Sequence, residues 1–278
     1  MKLWRHERAL LLLQVGMLAV LVVRAGVSHP ATLTIFTILA VHVAVLMLLV
    51  PRTSRVAVIL RLGSAYPVAL ALYGSFSAVT PAVGFPLWDA PLLAADRAVF
   101  GETPALLLQP IIHPLLTELM SACYLSYHFY LHGLLVLETL KPRERALAFA
   151  ESLFTAFAVG YAGYFLFPAV GPLASSFSVP LEGGVVTGLN SALVARGGAV
   201  FDAFPSLHVL ITFTLLAHDA RHTRRRFWCM VPVVAGLVMS TVYLRYHDVA
   251  DLLAGALIFA ALEWGACHSI HRRTIRSG

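Results

Sequence analysis

Residues 31–50 read ATLTIFTILAVHVAVLMLLV, a run of 20 residues without a charged side chain. As an α-helix, a run of this length spans about 30 Å, the hydrocarbon thickness of a lipid bilayer. Comparable apolar runs occur along the whole chain and predict about eight membrane spans, at approximately 9–27, 31–50, 61–80, 112–138, 147–168, 205–218, 227–244 and 248–267. The sequence therefore predicts an all-α bundle that crosses a membrane several times.

The composition favours one continuous membrane domain over a set of soluble domains. Of the 278 residues, 59% are hydrophobic and 12% are charged, whereas soluble proteins average about 25% charged residues. Residues 85–110 mix acids, an arginine and aromatic side chains, which predicts an amphipathic helix in the membrane interface. We expect N-terminal transmembrane helices at 1–84, a second set at 85–268 that carries the polar motifs, and a basic cytoplasmic tail at 269–278.

The positions of lysine and arginine predict the orientation, because positively charged loops stay cytoplasmic. With eight spans and both termini inside, 16 of the 20 basic residues fall on the cytoplasmic side, and only Arg24, Arg97, Arg196 and Arg245 fall outside. The net charge of +6 is then explained by topology and by attraction to anionic cytoplasmic lipid. We expect no nucleic-acid partner.

Two polar clusters lie at predicted outer ends of helices, where ionisable side chains are costly unless they are paired or functional. The first is FDAFPSLHV at residues 201–209. Pro205 suits the first turn of a helix, and His208 follows on the same turn. The free amides of that turn form a potential anion site beside His208.

The second cluster is STVYLRYHDVAD at residues 240–251. His247 and Asp251 are four residues apart, so a helix places them on one face, and the carboxylate can bond one imidazole nitrogen. That bond sets the tautomer and leaves the other nitrogen free as a nucleophile or base. The topology puts both clusters and Arg245 on the extracytoplasmic side.

Together the two clusters resemble the second and third signature motifs of the type 2 phosphatidic acid phosphatase superfamily, PSxH and SRxxxxxHxxxD. The matching residues are Pro205, Ser206, His208, Ser240, His247 and Asp251. The stretches WDAPLLAADRAVFG and TELMSACYLSY resemble the branch that contains inositol phosphorylceramide synthases, which are inositolphosphotransferases. The resemblance implies a lipid phosphotransferase or phosphatase in an all-α membrane fold, with no metal and no cofactor.

The same resemblance implies roles for individual residues. His247 would attack phosphorus and form a phosphohistidine, Asp251 would orient it, and His208 would protonate the leaving oxygen and later deprotonate the acceptor. The family's first motif, KxxxxxxRP, corresponds here to FPAVGPL, which has no cation. Ser206, Arg245 in a position where glycine is usual, and Arg196 are therefore the candidates for binding the substrate phosphate.

The expected partners are membrane lipids as substrate, with water, a polyol or a lipid hydroxyl as acceptor, at an active site on the outer face of the plasma (inner) membrane. Two alternatives remain open. One is a transporter or scaffold that keeps the fold without turnover. The other is a di-iron hydroxylase, suggested by three closely spaced histidine pairs: His128 with His132, His218 with His222, and His268 with His271. Asp202 is expected to cap a helix and Asp248 to be a solvated neighbour.

Overall fold

A computed structural model describes residues 2–172, 177–197 and 200–276, with side chains as far as Ala266. In chain order the helices are α1 (Arg5–Arg24), α2 (Pro30–Leu49), α3 (Arg55–Gly63), α4 (Ala65–Val83), α5 (Asp89–Phe100), α6 (Pro104–Leu107), α7 (Pro114–Thr139), α8 (Arg143–Leu166), α9 (Val185–Gly197), α10 (Leu207–His222), α11 (Arg224–Tyr243) and α12 (Val249–Arg276). A short 3₁₀ turn, Gln109–Ile111, lies between α6 and α7. The described part contains no β-strand, which confirms the all-α prediction.

Among the described residues, six helical segments are long and apolar enough to cross a membrane: Arg5–Arg24, Pro30–Leu49, Arg55–Val83, Arg143–Leu166, Arg224–Tyr243 and Val249–Ala266. The other two predicted spans correspond to α7 and α10. Helix α7 carries tyrosine and histidine side chains among its apolar residues, and α10 has only 16 residues. The tyrosines and histidines of α7 line the cavity described below, together with Leu207 and His208 at the start of α10.

The bundle is built around α8 and α10. Helix α8 packs along α1, α4 and α10, while α10 also contacts α11 and α12. The core of the bundle contains fully buried side chains from several of these helices, among them Leu10, Phe76, Leu153, Phe154 and Leu210. Many aliphatic side chains on the outer helices are instead exposed, as expected of surfaces that face lipid.

Ion pairs join the helix ends that the charge distribution places inside. Glu138, which is completely buried, accepts hydrogen bonds from Arg145 at 2.5 Å and from Arg226 at 3.0 Å. Arg61 pairs with Glu7 at 2.6 Å. These contacts join the ends of α7, α8 and α11 and, separately, those of α1 and α3; the sidedness of these loops stays a prediction.

The predicted interfacial segment at 85–110 forms α5, α6 and the 3₁₀ turn instead of one helix. Gly101, in the left-handed conformation with φ 81°, ends α5. Helix α5 is mostly exposed, but its two buried side chains, Leu92 and Asp96, face the bundle. Asp96 reaches the start of α12 and so links this segment to the second polar cluster.

Candidate functional site

The two motif histidines are in direct contact. Nδ1 of His208 lies 3.0 Å from Nε2 of His247, and Nδ1 of His247 lies 3.3 Å from Oδ2 of Asp251. His247 and Asp251 are almost completely buried, at 2% and 0% exposure. The structure thus joins three residues from the two sequence clusters into one chain of polar contacts.

The hydrogen-bond network assigns the tautomers of this chain. Because a carboxylate only accepts, Nδ1 of His247 carries the proton and donates a hydrogen bond to Asp251, leaving Nε2 with a lone pair. That lone pair then accepts a hydrogen bond from the Nδ1–H of His208. His247 is therefore arranged as a nucleophile or base, and His208 as the neighbouring proton donor.

The turn before α10 holds His208 in place. Ser206 is the N-cap, since its hydroxyl accepts from the amide of Val209, and the helix begins at Leu207. The expectation that Pro205 lies in the first helical turn is wrong, because the Ser206 cap starts the helix two residues later. His208 does occupy the first turn, as expected.

Two glycines allow neighbouring helices to approach this turn. A Cβ atom on Gly163 of α8 would lie 2.2 Å from Cδ of Pro205, and one on Gly255 of α12 would lie 2.5 Å from the carbonyl oxygen of Ser206. The Ser206 amide also donates to the carbonyl of Asp251 at 3.0 Å. The turn is thereby held between α8 and α12, which sets the distance between the two histidines.

Carboxylates secure the start of α12. Asp96 accepts from the amides of Val249 and Ala250 at 2.8 and 2.9 Å, and Asp251 accepts from the amide of Asp248 at 2.9 Å. Anionic groups at this position satisfy the free amides of a helix N-terminus. This arrangement fixes the backbone that carries His247 and Asp251.

Asp248 is buried, at 2% exposure, so the expectation of a solvated side chain is wrong. The loop folds under α5 and encloses the carboxyl, whose two oxygens have no hydrogen-bond partner among the described residues. Burial, reinforced by the nearby acids Asp251, Asp96 and Asp89, raises the pKa of Asp248 to about 8. A neutral Asp248 therefore lies beside His247 at neutral pH.

Both histidines line a cavity of about 440 Å³ between α4, α7, α8, α9 and α10. Seven of the chain's nine tyrosines also line it: Tyr66, Tyr73, Tyr124, Tyr127, Tyr161, Tyr164 and Tyr246. The rings of Tyr124 and Tyr127 each lie 4.8 Å from the His208 ring, measured between centroids. The cavity is aromatic and apolar along its walls, with hydroxyl and imidazole groups as its polar contacts.

Asp202 is the one carboxylate among the described lining residues. Its Oδ2 accepts from the Tyr73 hydroxyl at 2.7 Å, which ties the loop before α10 to α4. Asp202 was expected to cap a helix, but Ser206 fills that position. Burial raises the pKa of Asp202.

A sequence model of the PAP2 superfamily matches residues 90–264, a range that contains both histidines and Asp251. The chain belongs to the PAP2 superfamily. Comparison with curated proteins found no match, and comparison with solved structures found none. Membership of the PAP2 superfamily supports an activity of the phosphatase or phosphotransferase type. The resemblance to the inositol phosphorylceramide synthase branch stays a prediction.

The predicted phosphate-binding residues lie outside the cavity of this PAP2 protein. Arg245, 6% exposed, donates to the carbonyl of Val179 at 2.5 Å, and its guanidinium lies 4.0 Å from the centroid of the Phe177 ring. Arg196 is exposed in the last turn of α9, and Ser206 is completely buried. Their roles in binding phosphate stay predictions.

The backbone explains the glycine usual at the position of Arg245. Arg245 has φ 66°, in the left-handed region, directly after the end of α11. Glycine adopts this conformation without strain, whereas other residues lose roughly 1–2 kcal/mol. The contacts of the guanidinium with Phe177 and Val179 offset part of that strain.

The sequence did not identify Asp96 or the tyrosines as parts of the site. Asp96 lies 151 residues before His247 in the chain, and a single acid on a mostly exposed helix carries no signal of its partner. The tyrosines of α7 do show a pattern, since Tyr124, Tyr127 and Leu131 recur at helical spacing and line the cavity together. That pattern could have identified the wall of the site.

The first histidine pair of the di-iron alternative also lines this cavity. Nε2 of His132 is hydrogen-bonded to the hydroxyl of Tyr66, and Nδ1 of His132 to the carbonyl of His128. Within the described residues, no group of three or more His, Cys, Asp or Glu side chains is placed to hold a metal ion. His218 pairs with Glu138 at 3.2 Å, and the side chains of His268 and His271 lie outside the described residues.

Proposed function

We propose that this PAP2 protein transfers a phosphoryl group from a membrane phospholipid through a phosphohistidine at His247. The observation that carries the proposal is the contact chain from Asp251 through His247 to His208 at the wall of a cavity between membrane helices. A nucleophile, an orienting carboxylate and a proton donor are the three groups that such a transfer needs.

In the first step, the lone pair on Nε2 of His247 forms a bond to phosphorus. The bond from phosphorus to the leaving oxygen breaks, and that oxygen takes a proton from His208, which is an imidazolium beside the bound anionic phosphate and becomes a neutral imidazole. Asp251 accepts the hydrogen bond from Nδ1 of His247 and stabilises the positive charge that develops on the ring.

In the second step, His208 takes a proton from the acceptor hydroxyl, which attacks phosphorus and breaks the phosphorus–nitrogen bond. The product leaves, and His247 and His208 return to their starting states. Water as acceptor gives hydrolysis, while a polyol or lipid hydroxyl gives transfer. Proton transfer of this kind typically contributes about 10²–10⁴ to the rate.

Substrate has to enter between the two histidines. Their nitrogens are 3.0 Å apart, whereas attack needs roughly 3–3.5 Å between nitrogen and phosphorus, with the leaving oxygen a further hydrogen bond from His208. The substrate therefore replaces the His208–His247 hydrogen bond. His208 is the residue that moves, because it is partly exposed to the cavity while His247 is buried.

The charge of the cavity favours a phosphodiester substrate. None of the described residues that line it is lysine or arginine. A phosphomonoester brings close to two negative charges, and a diester brings one, so burial without a cation costs the monoester more. Tyrosine hydroxyls and the amides at the start of α10 can bind a singly charged group. We therefore propose headgroup transfer as the main reaction.

The test uses purified full-length protein in lipid nanodiscs with labelled phosphatidylinositol and labelled phosphatidic acid, with and without added inositol or a lipid alcohol. New labelled lipid measures transfer, whereas hydrolysis releases free phosphate from phosphatidic acid and a phosphomonoester from phosphatidylinositol. We expect turnover of the diester to exceed that of phosphatidic acid and to be lost in His247→Ala. The exposed His222→Asn serves as a matched control. Full turnover in His247→Ala would disprove the mechanism.

A nitrophenyl phosphodiester separates the two steps, because its leaving group needs no proton. With this substrate, His208→Asn should give a burst of one nitrophenolate per protein, followed by slow turnover. The protein should then carry phosphate that is stable in base and labile in acid, as phosphohistidine is. Turnover without bound phosphate would point to direct attack by the acceptor. No turnover of any substrate by the wild type would favour the scaffold alternative, which the lack of cations in the cavity also supports.

A further inference from the structure

A second cavity, of about 820 Å³, lies at the predicted cytoplasmic ends of α1, α2 and α8. It is lined by the residues that begin α1, by the turn after α2, by Arg61 of α3, by the first turns of α8 and by Ala266 of α12. We call it the basic cleft. It shares no lining residue with the cavity that contains His208 and His247.

The basic cleft has more positive charge than its own acids neutralise. Its charged lining residues are Lys2, Arg5, Arg8, Arg61, Arg143 and Glu151. Arg61 is neutralised by Glu7, which accepts two of its hydrogen bonds at 2.6 and 2.7 Å. Glu151 accepts from the backbone amide of Arg5 at 3.1 Å. Four cations therefore remain for a single acid.

These four cations are free to bind a ligand. The side chains of Lys2, Arg5, Arg8 and Arg143 are exposed and form no ion pair or hydrogen bond with the described part of the chain. They project from two separate helix starts, at α1 and α8, into one concave space. Two helix N-termini add partial positive charge there. The positive electrostatic potential of the basic cleft therefore attracts an anion.

The remaining walls favour a lipid over a soluble anion. Leu3, Val50 and Leu147 line the basic cleft between its cations. Beyond it, α1 and α2 expose the side chains of Leu12 and Met47, at 73% and 63%. A ligand with a phosphate headgroup and alkyl chains fits this arrangement, because its headgroup can lie among the cations while its chains continue along the exposed apolar faces of α1 and α2.

We propose that the basic cleft binds the phosphate headgroup of an anionic glycerophospholipid of the cytoplasmic leaflet, with its acyl chains lying along α1 and α2. Basic pockets between membrane helices at this level are known to suit such headgroups. The predicted topology explains why positive residues lie on this side of the membrane, but it does not explain why four of them line one cleft. Arg224 and Arg225, on the same predicted side, are exposed and line neither this cleft nor the cavity of the histidines.

The test titrates full-length protein in detergent with phosphatidylglycerol and counts bound lipid by native mass spectrometry. Each cation near a membrane surface contributes about fivefold to the binding of anionic lipid. We therefore expect about 25-fold weaker binding in the double variant Arg5→Gln/Arg8→Gln and about fivefold in Arg143→Gln. The matched double variant Arg224→Gln/Arg225→Gln should bind within twofold of wild type.

Four results would overturn the proposal. One is equal binding of phosphatidylglycerol by the Arg5→Gln/Arg8→Gln variant and the wild type. Another is an equal loss in the Arg224→Gln/Arg225→Gln control, which would indicate a general effect of charge. The third is equal occupancy by phosphatidylcholine, and the fourth is full competition by glycerol phosphate without acyl chains. Repeating the titration in His247→Ala removes turnover, so the result does not depend on the proposed catalysis.

Discussion

Replacing Asp248 with asparagine should stabilise the protein by an amount that grows with pH. The carboxyl is 2% exposed, and its oxygens lack partners among the described residues. Burial and three neighbouring acids raise its pKa to about 8, from roughly 3.9 in an unfolded chain. Asparagine has nearly the same shape and does not titrate.

The direction of the pH dependence follows from the number of protons that the folded and unfolded states bind. Between about pH 4 and pH 8, the unfolded chain has lost this proton while the folded protein keeps it, so the free energy of unfolding falls as the pH rises. The limiting slope is about 1.4 kcal/mol per pH unit, or at most about 4 kcal/mol between pH 5 and pH 8. Residual hydration and relaxation reduce this value, and we expect about 2 kcal/mol. Above about pH 8 the penalty stays constant.

The assay follows thermal unfolding by tryptophan fluorescence in one detergent at pH 5, 6, 7 and 8. The Tm of Asp248→Asn minus that of wild type should increase by about 4–8 °C between pH 5 and pH 8, at roughly 2–4 °C per kcal/mol. Glu144→Gln, which removes an exposed acid, should show no such trend. A difference in Tm that is the same at every pH would refute the assignment of a buried, neutral carboxyl.

Three further substitutions test the surroundings of the site. Gly255→Ala should lower the Tm through about 1–3 kcal/mol of overpacking against the Ser206 carbonyl, while Gly265→Ala, which has open space, should not; equal effects would place the contact elsewhere. The Glu118 carboxylate caps the start of α9, where it accepts hydrogen bonds from the amides of Gly184, Val186 and Thr187. Glu118→Gln weakens these bonds, so amide hydrogen exchange in α9 should become faster; unchanged exchange would contradict this capping role. Arg245→Gln loses the contacts with Phe177 and Val179, so it should lower the Tm with little change in KM. A large rise in KM at constant Tm would instead support a role of Arg245 in binding the substrate phosphate.

Most of the helices could be predicted from hydropathy, because each membrane helix needs a long apolar run whatever its neighbours are. The prediction was less accurate for the segment at 85–110, where Gly101 ends α5 and the chain continues as α6 and a 3₁₀ turn. It also placed Pro205 inside α10. In both places the outcome depends on local caps, which hydropathy does not report.

The pairing of His247 with Asp251 was predictable from the sequence, since four residues separate them and a helix brings such residues to one face. Its contact with His208 was expected only to the extent that both motifs share a membrane side. The 3.0 Å distance between the two imidazoles depends on how α10 and α12 pack, and hence on Gly163 and Gly255, which form notches for the Ser206 turn.

The sequence alone determined the all-α membrane architecture, and it predicted the sidedness of the charged loops and the two histidines and Asp251 as candidate site residues. Only the tertiary structure showed that Asp248 is buried, that Arg245 turns away from the cavity, and that tyrosines replace cations around the histidines. The physical reason is separation along the chain, because hydropathy and helical spacing depend only on residues that are close together in sequence. The environment of a charge depends on residues far apart in sequence, such as Asp96 beside the start of α12, and only packing brings these together.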